Sequence, residues 1–138
     1  MSSLKVDNIT GRGSTGFTGS VKSEGGNTTT DLQQGLAKAW VNIDGTGTIA
    51  SRDSFNVSGL VDNGTGDYTI NFSVSMSNAN YSPSGTTSAV NDGGSTPRCA
   101  ITECATVAAD QIRTIVTYDS NIKLDSAIVS NQIFGDLA

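Results

Sequence analysis

The most regular stretch of the chain is Tyr68 to Met76. Tyr68, Ile70, Phe72, Val74 and Met76 take every second position, and Thr69, Asn71, Ser73 and Ser75 stand between them. A period of two sends alternate residues to opposite faces of a β-strand. The pattern therefore predicts a strand with its large residues towards a core and its small polar residues towards water. Asn63-Gly64 precedes it. This pair accepts the positive φ angles of a type I′ turn, which predicts a hairpin. Phe55 and Val57 alternate in the arm before that turn. One face of such a hairpin needs a second sheet to cover it.

Three further stretches alternate. Ala39, Val41 and Ile43 stand against Lys38, Trp40, Asn42 and Asp44. Trp40 shares the polar face, and two readings of it stand. It is core because both faces are partly covered, or it is an exposed aromatic at a subunit interface, where aromatics bring large area at little entropic cost. Ile112, Thr114, Val116 and Tyr118 oppose Arg113, Ile115 and Thr117, and Ile128 and Phe134 oppose Val129 and Ile133. Asp119-Ser120-Asn121 and Asp125-Ser126 read as turns. Tyr81 to Pro97 reads as a long loop, with Pro83, Gly85, Gly93, Gly94 and Pro97 and only Ala89 and Val90 apolar. It is a wandering connection or a variable exposed surface. The spacing predicts an all-β chain, an antiparallel β-sandwich of six to seven strands over residues 35–138.

Residues 1–34 differ. Their large apolar side chains before residue 30 are few and widely spaced: Leu4, Val6, Ile9, Phe17 and Val21. Glycines at 11, 13, 16 and 19 stop a helix from propagating and weaken a lone strand. Thr30 or Asp31 could cap one helical turn that Gly35 ends. Such a segment cannot repay its ordering entropy alone. It is a disordered tail or an extended N-terminal arm ordered on a partner, with those five residues as anchor contacts.

Composition sharpens this picture. Of 138 residues 36% are hydrophobic, and Gly numbers 16. Such a core is thin, which points to help from partner chains. Net charge is −5 and the basic residues are scattered, so no nucleic-acid partner is expected. No apolar run reaches the roughly 20 residues of a membrane span. Met1-Ser-Ser-Leu-Lys5 lacks the apolar region of a secretory signal, so assembly in a cytoplasm is expected.

The chemistry is equally spare. The chain has no His, which rules out Ser-His-Asp and Cys-His arrangements. Glu occurs only at 24 and 103, and most Asp residues stand in turns, so the paired carboxylates of a glycosidase are not expected. Gly11-Arg12-Gly13-Ser14-Thr15-Gly16 has dinucleotide-loop spacing but no buried strand before it or amphipathic helix after it. Cys99 and Cys104 alone do not make a zinc site; they are two small residues of a strand or loop, or a disulfide formed outside a reducing cytosol. Asp62, Asn63 and Asp67 lack the ordered spacing of a calcium loop. The Asn-x-Ser/Thr sequons follow from composition. The expectation is a non-enzymatic protein without catalytic, cofactor or metal residues.

The runs Ala37-Lys-Ala-Trp-Val-Asn-Ile-Asp-Gly-Thr-Gly-Thr-Ile-Ala50, Arg52-Asp-Ser-Phe-Asn-Val-Ser58 and Asp62-Asn-Gly-Thr-Gly-Asp-Tyr-Thr-Ile-Asn-Phe72 carry a resemblance. Together they resemble a β-domain found near the C-termini of tail-fibre and virion proteins of tailed bacteriophages. The ending Ile133-Phe134-Gly135-Asp136 is similar to the way those domains close. The resemblance runs from about Gln33 to the C-terminus, tight over Ala37 to Phe72 and loose between Tyr81 and Asp110. It implies no catalytic residues. It implies a virion structural protein, a tail-fibre-like homotrimer, with its N-terminal arm anchored on other virion proteins and a host surface glycan as a candidate partner. A capsid decoration (cement) protein is the alternative, because 138 residues leave no long shaft. A carbohydrate-binding module is the third reading, and it requires aromatics grouped on one exposed face.

Overall fold

The computed structural model describes residues 20–22, 29–31, 35–88, 101–118 and 122–138. The chain divides into two compact units, Met1–Leu36 and Ala37–Ala138. In the first, β1 (Ser20–Lys22) pairs antiparallel with β2 (Thr29–Asp31), Val21 opposite Thr30. Thr30 and Asp31 are thus strand, not the cap of a helical turn, because their backbone groups are taken by the ladder with β1. Leu4, Val6, Ile9 and Phe17 lie outside the described residues, as do residues 32–34.

The second unit is an antiparallel β-sandwich. Its strands are β3 (Ala39–Asp44), β4 (Ala50–Phe55), β5 (Val57–Asp62), β6 (Asp67–Phe72), β7 (Ser82–Thr87), β8 (Ile101–Val107), β9 (Gln111–Tyr118), β10 (Ile122–Lys123) and β11 (Val129–Phe134). One sheet runs β4-β3-β11-β7. In the other, β5 pairs β6 and β6 pairs β9. Thr117 of β9 faces Ile101 of β8 and Lys123 of β10, while Ile115 faces Asp67 and Glu103. So β8 lies along one side of β9, and β6 and β10 follow each other along the opposite side.

Strand parity builds the core. Ala39, Val41, Ile43, Val129 and Ile133 point inward from the first sheet, and Tyr68, Ile70, Phe72, Ile112 and Val116 from the second. Met76, Tyr81 and Leu124 close its ends. The Phe72 and Tyr81 rings meet edge to face at 5.9 Å, a geometry that aligns ring edge with ring face. Burial pushes the Tyr81 phenol up to about 12.

Several expectations are corrected. The sandwich has more strands than the six to seven expected. Ser82–Thr87, read as loop, is β7, fully laddered to β11; residues 89–100, including Cys99, lie outside the described residues. Cys104 sits in β8 with a free thiol. The alternation of Tyr68 to Met76 stops as a strand at Phe72. The Ser73 amide bonds to Asn56 O and the Val74 amide to Asn56 Oδ1, which turns Val74 outward at 48% exposure. Phe55 and Val57 do not share a strand. Asn56 between them has φ 57°, and there the chain leaves one sheet for the other. Asn63-Gly64 is not a two-residue turn either. The loop runs from Asn63 to Gly66 with φ 120° at Gly64 and 61° at Gly66, and Asp67 N–H closes it on Gly64 O.

Among the described residues, five strands of the two sheets pair on one side only: β4, β7, β5, β8 and β10. In three of them the register shifts by one residue, leaving Arg52 of β4, Ser58 of β5 and Ala105 of β8 without a ladder partner. A bulge of this kind bends the strand and re-aims side chains. Arg52 uses it to reach both Asp44 Oδ2 at 2.6 Å and Ala127 O at 2.9 Å. Of the other two, β7 carries Pro83 and β10 is only two residues long.

Candidate functional site

The outer face of the four-stranded sheet collects what the core does not use. β3 alternates, so Trp40 and Asn42 point away from Ala39, Val41 and Ile43. The ladder sets Trp40 between Phe55 of β4 and Gln132 of β11, and Asn42 between Asp53 and Ser130. Phe134 falls on the same face by parity with Ser130 and Gln132. Three aromatic side chains, Trp40, Phe55 and Phe134, therefore share one outer face. Trp40 is partly buried and Phe55 is 52% exposed.

Beside Trp40 lies an open depression of about 300 Å³, walled by Ala37, Trp40, Asn42, Ser130 and Gln132. None of these side chains carries a charge. Asn42 Oδ1 is shielded from water and accepts no hydrogen bond among the described residues. Beneath, Asn131 faces Val41 and Gly85 in the ladder and is 1% exposed, with neither amide atom bonded among the described residues. Each such group costs about 1–3 kcal/mol.

The opposite outer face is built differently. Asp67 starts β6, and its side chain is 4% exposed. Arg113 grips it with two bonds of 2.7 Å, Nε to Oδ1 and Nη2 to Oδ2. Lys123 donates to Oδ2 at 2.6 Å. The Arg113 guanidinium, opposing the cost of burial and joined by Lys123, holds the Asp67 carboxyl well below the usual carboxylate range. The Arg113 side chain is 41% exposed and that of Lys123 43%. Both cations bond the one carboxylate, so the cluster is a clamp across β6, β9 and β10.

A second clamp lies at the end of the sandwich. The Tyr68 hydroxyl is 2.8 Å from Asp125 Oδ1, which also accepts from the Gly66 amide at 2.8 Å. Burial, reinforced by that carboxylate, pushes the Tyr68 phenol up. Gly45 has to be glycine, since a Cβ there would strike the Tyr68 hydroxyl. The Asp62-Asn63-Asp67 cluster resolves into capping chemistry: Asp62 Oδ1 accepts from the Gly64 amide, and Asn63 Nδ2 reaches Thr69 Oγ1.

Of the residues singled out by sequence, the structure places Trp40 on the aromatic face and Val21 in β1; Leu4, Val6, Ile9 and Phe17 fall outside the described residues. Phe55, Asn42, Ser130 and Gln132 were not singled out. Asn42 was within reach, two residues from Trp40 on one strand. The others become neighbours only through register. Comparison with family models, with curated proteins and with solved structures finds no match to this chain.

Proposed function

We propose that the chain is a non-enzymatic structural protein of a tailed-phage virion, a tail-fibre-like homotrimer anchored through its N-terminal arm. In this reading the sandwich presents the outer face of β4-β3-β11-β7 to a partner outside the subunit. The observation that carries it is the grouping of Trp40, Phe55 and Phe134 on that face, beside buried amide atoms that have no hydrogen-bond partner among the described residues. A self-contained domain rarely leaves large aromatics together on an outer face, and such patches mark interaction surfaces. The resemblance to tail-fibre domains adds the virion context, and its tight part spans β3 to β6, the strands that supply Trp40 and Phe55.

Light scattering of the full chain tests the assembly: the expected mass is about three times 14.2 kDa, and a monomer with a cooperative melt overturns the trimer. Deleting residues 1–30 tests the anchor. The truncated chain is expected to keep its thermal midpoint and lose co-sedimentation with particles that lack it. Undiminished co-sedimentation moves the anchor to residues 31–138.

A further inference from the structure

We infer that the depression beside Trp40 binds a neutral saccharide, by stacking one face of a pyranose ring on the indole and pairing its hydroxyls with Asn42, Gln132 and Ser130. This rests on the reading of that sheet face as a partner surface and names the partner's chemistry. A hexose has an apolar C–H face and a rim of hydroxyls that both donate and accept. The site offers the complement. Trp40 supplies a flat apolar plate, with Phe55 opposite it in the ladder. Amides both donate and accept, and they stand at Asn42 and Gln132 on the same face, with the Ser130 hydroxyl between. Asn42 Oδ1, shielded and without a donor among the described residues, gains one when a sugar hydroxyl enters and the amide turns towards it.

Charge and size narrow the class. The residues that wall the depression are neutral, and Asp53 sits opposite Asn42 in the ladder. A carboxylated or sulfated sugar would meet that carboxylate with no cation among the described residues of the wall to balance it. The volume of about 300 Å³ is at the small end of ligand pockets, which suits one ring of a glycan held at an open surface. A second copy of the chain is the competing occupant. The polar frame around the indole, with an acceptor that has no donor among the described residues, favours the saccharide over an apolar subunit contact.

Trp40 is the only Trp, so its emission reports the site directly. The full chain is titrated with maltotriose, cellotriose and β-1,4-galactotriose, and with trigalacturonate as the acidic counterpart. A saturable emission change with at least one neutral trisaccharide, and a weaker one with trigalacturonate, is expected. Trp40→Phe, which keeps an aromatic and the fold, is expected to weaken binding about tenfold, read by saturation-transfer NMR. Gln132→Ala is expected to weaken it several-fold with an unchanged thermal midpoint. The inference is overturned if no neutral trisaccharide gives a saturable response with folded protein, or if trigalacturonate binds as well and Trp40→Phe leaves it unchanged. It is also overturned if Trp40→Ala turns a trimer into a monomer while wild-type emission ignores every sugar; then the face is a subunit contact and the trimer reading stands. A monomer that binds a neutral sugar supports the inference and removes the trimer.

Discussion

The two sheets turn unlike faces to the outside. On the face of β5, β6, β9, β10 and β8, the buried Asp67 carboxylate has both its oxygens taken by two cations of the same chain. On the face of β4, β3, β11 and β7, Phe55 is half exposed and Asn42 Oδ1 has no donor among the described residues. The same fold and the same alternation produced both. What differs is whether the polar groups close on each other within the chain. A closed set such as Asp67-Arg113-Lys123 serves stability and has little left for a ligand. An open set costs stability, and it is retained where something outside the chain completes it.

The largest expected effect concerns what both faces share. Phe72 is 7% exposed in the core that carries them, and Phe72→Ala is expected to cost about 3–5 kcal/mol in chemical denaturation. Ser73→Ala, at the exposed bend that follows, is expected to be near neutral. Equal midpoints for the two variants would mean that the inward face of β6 is wrongly assigned.

Asp67→Asn tests the closed face. A fully buried pair broken on one side costs about 3–5 kcal/mol. Arg113 and Lys123 are 41% and 43% exposed and regain water, so about 1–2 kcal/mol is expected. The sign of its pH dependence follows from the lowered Asp67 pKa. The contribution is complete above about pH 5 and fades as the pH falls towards the folded-state value. Melting temperatures of wild type and Asp67→Asn should therefore differ near neutrality and converge in acid. A gap that stays constant to about pH 2 would show that the carboxylate charge is not what Arg113 and Lys123 hold.

Phe55→Ala is the smallest effect and the one that sharpens the contrast. A half-exposed side chain on an open face should change stability within about ±0.5 kcal/mol. A loss approaching that of Asp67→Asn would show that Phe55 is structural and that the two faces are alike.

The sandwich was readable because β3, β6, β9 and β11 alternate with large inward residues, and burial is what alternation encodes. β7, Ser-Pro-Ser-Gly-Thr-Thr, has nothing large to alternate; only its ladder with β11 makes it a strand. Val74 kept the period and left the strand, because Asn56, 18 residues away, captures its amide. The Asp67 clamp was invisible for a related reason. Arg113 and Lys123 lie 46 and 56 residues further on, and local reading sees Asp67 only as a turn residue beside Gly66. Trp40 was noticed because it broke its own pattern. Its partners came from β4 and β11, whose register no single stretch contains.

The misfits Arg52, Ser58 and Ala105, with Pro83, have a consequence for crowded surroundings. A sheet margin with a clean row of backbone donors and acceptors anneals to any similar margin it meets, and the product grows into a fibril. Here four of the five margin strands are spoiled, three by a residue out of step and one by an imino acid without an N–H, and the fifth, β10, is only two residues long. Copies held side by side at high local density, as on a particle surface, would be discouraged from zipping together laterally. Association is left to side-chain surfaces, where chemistry can select the partner.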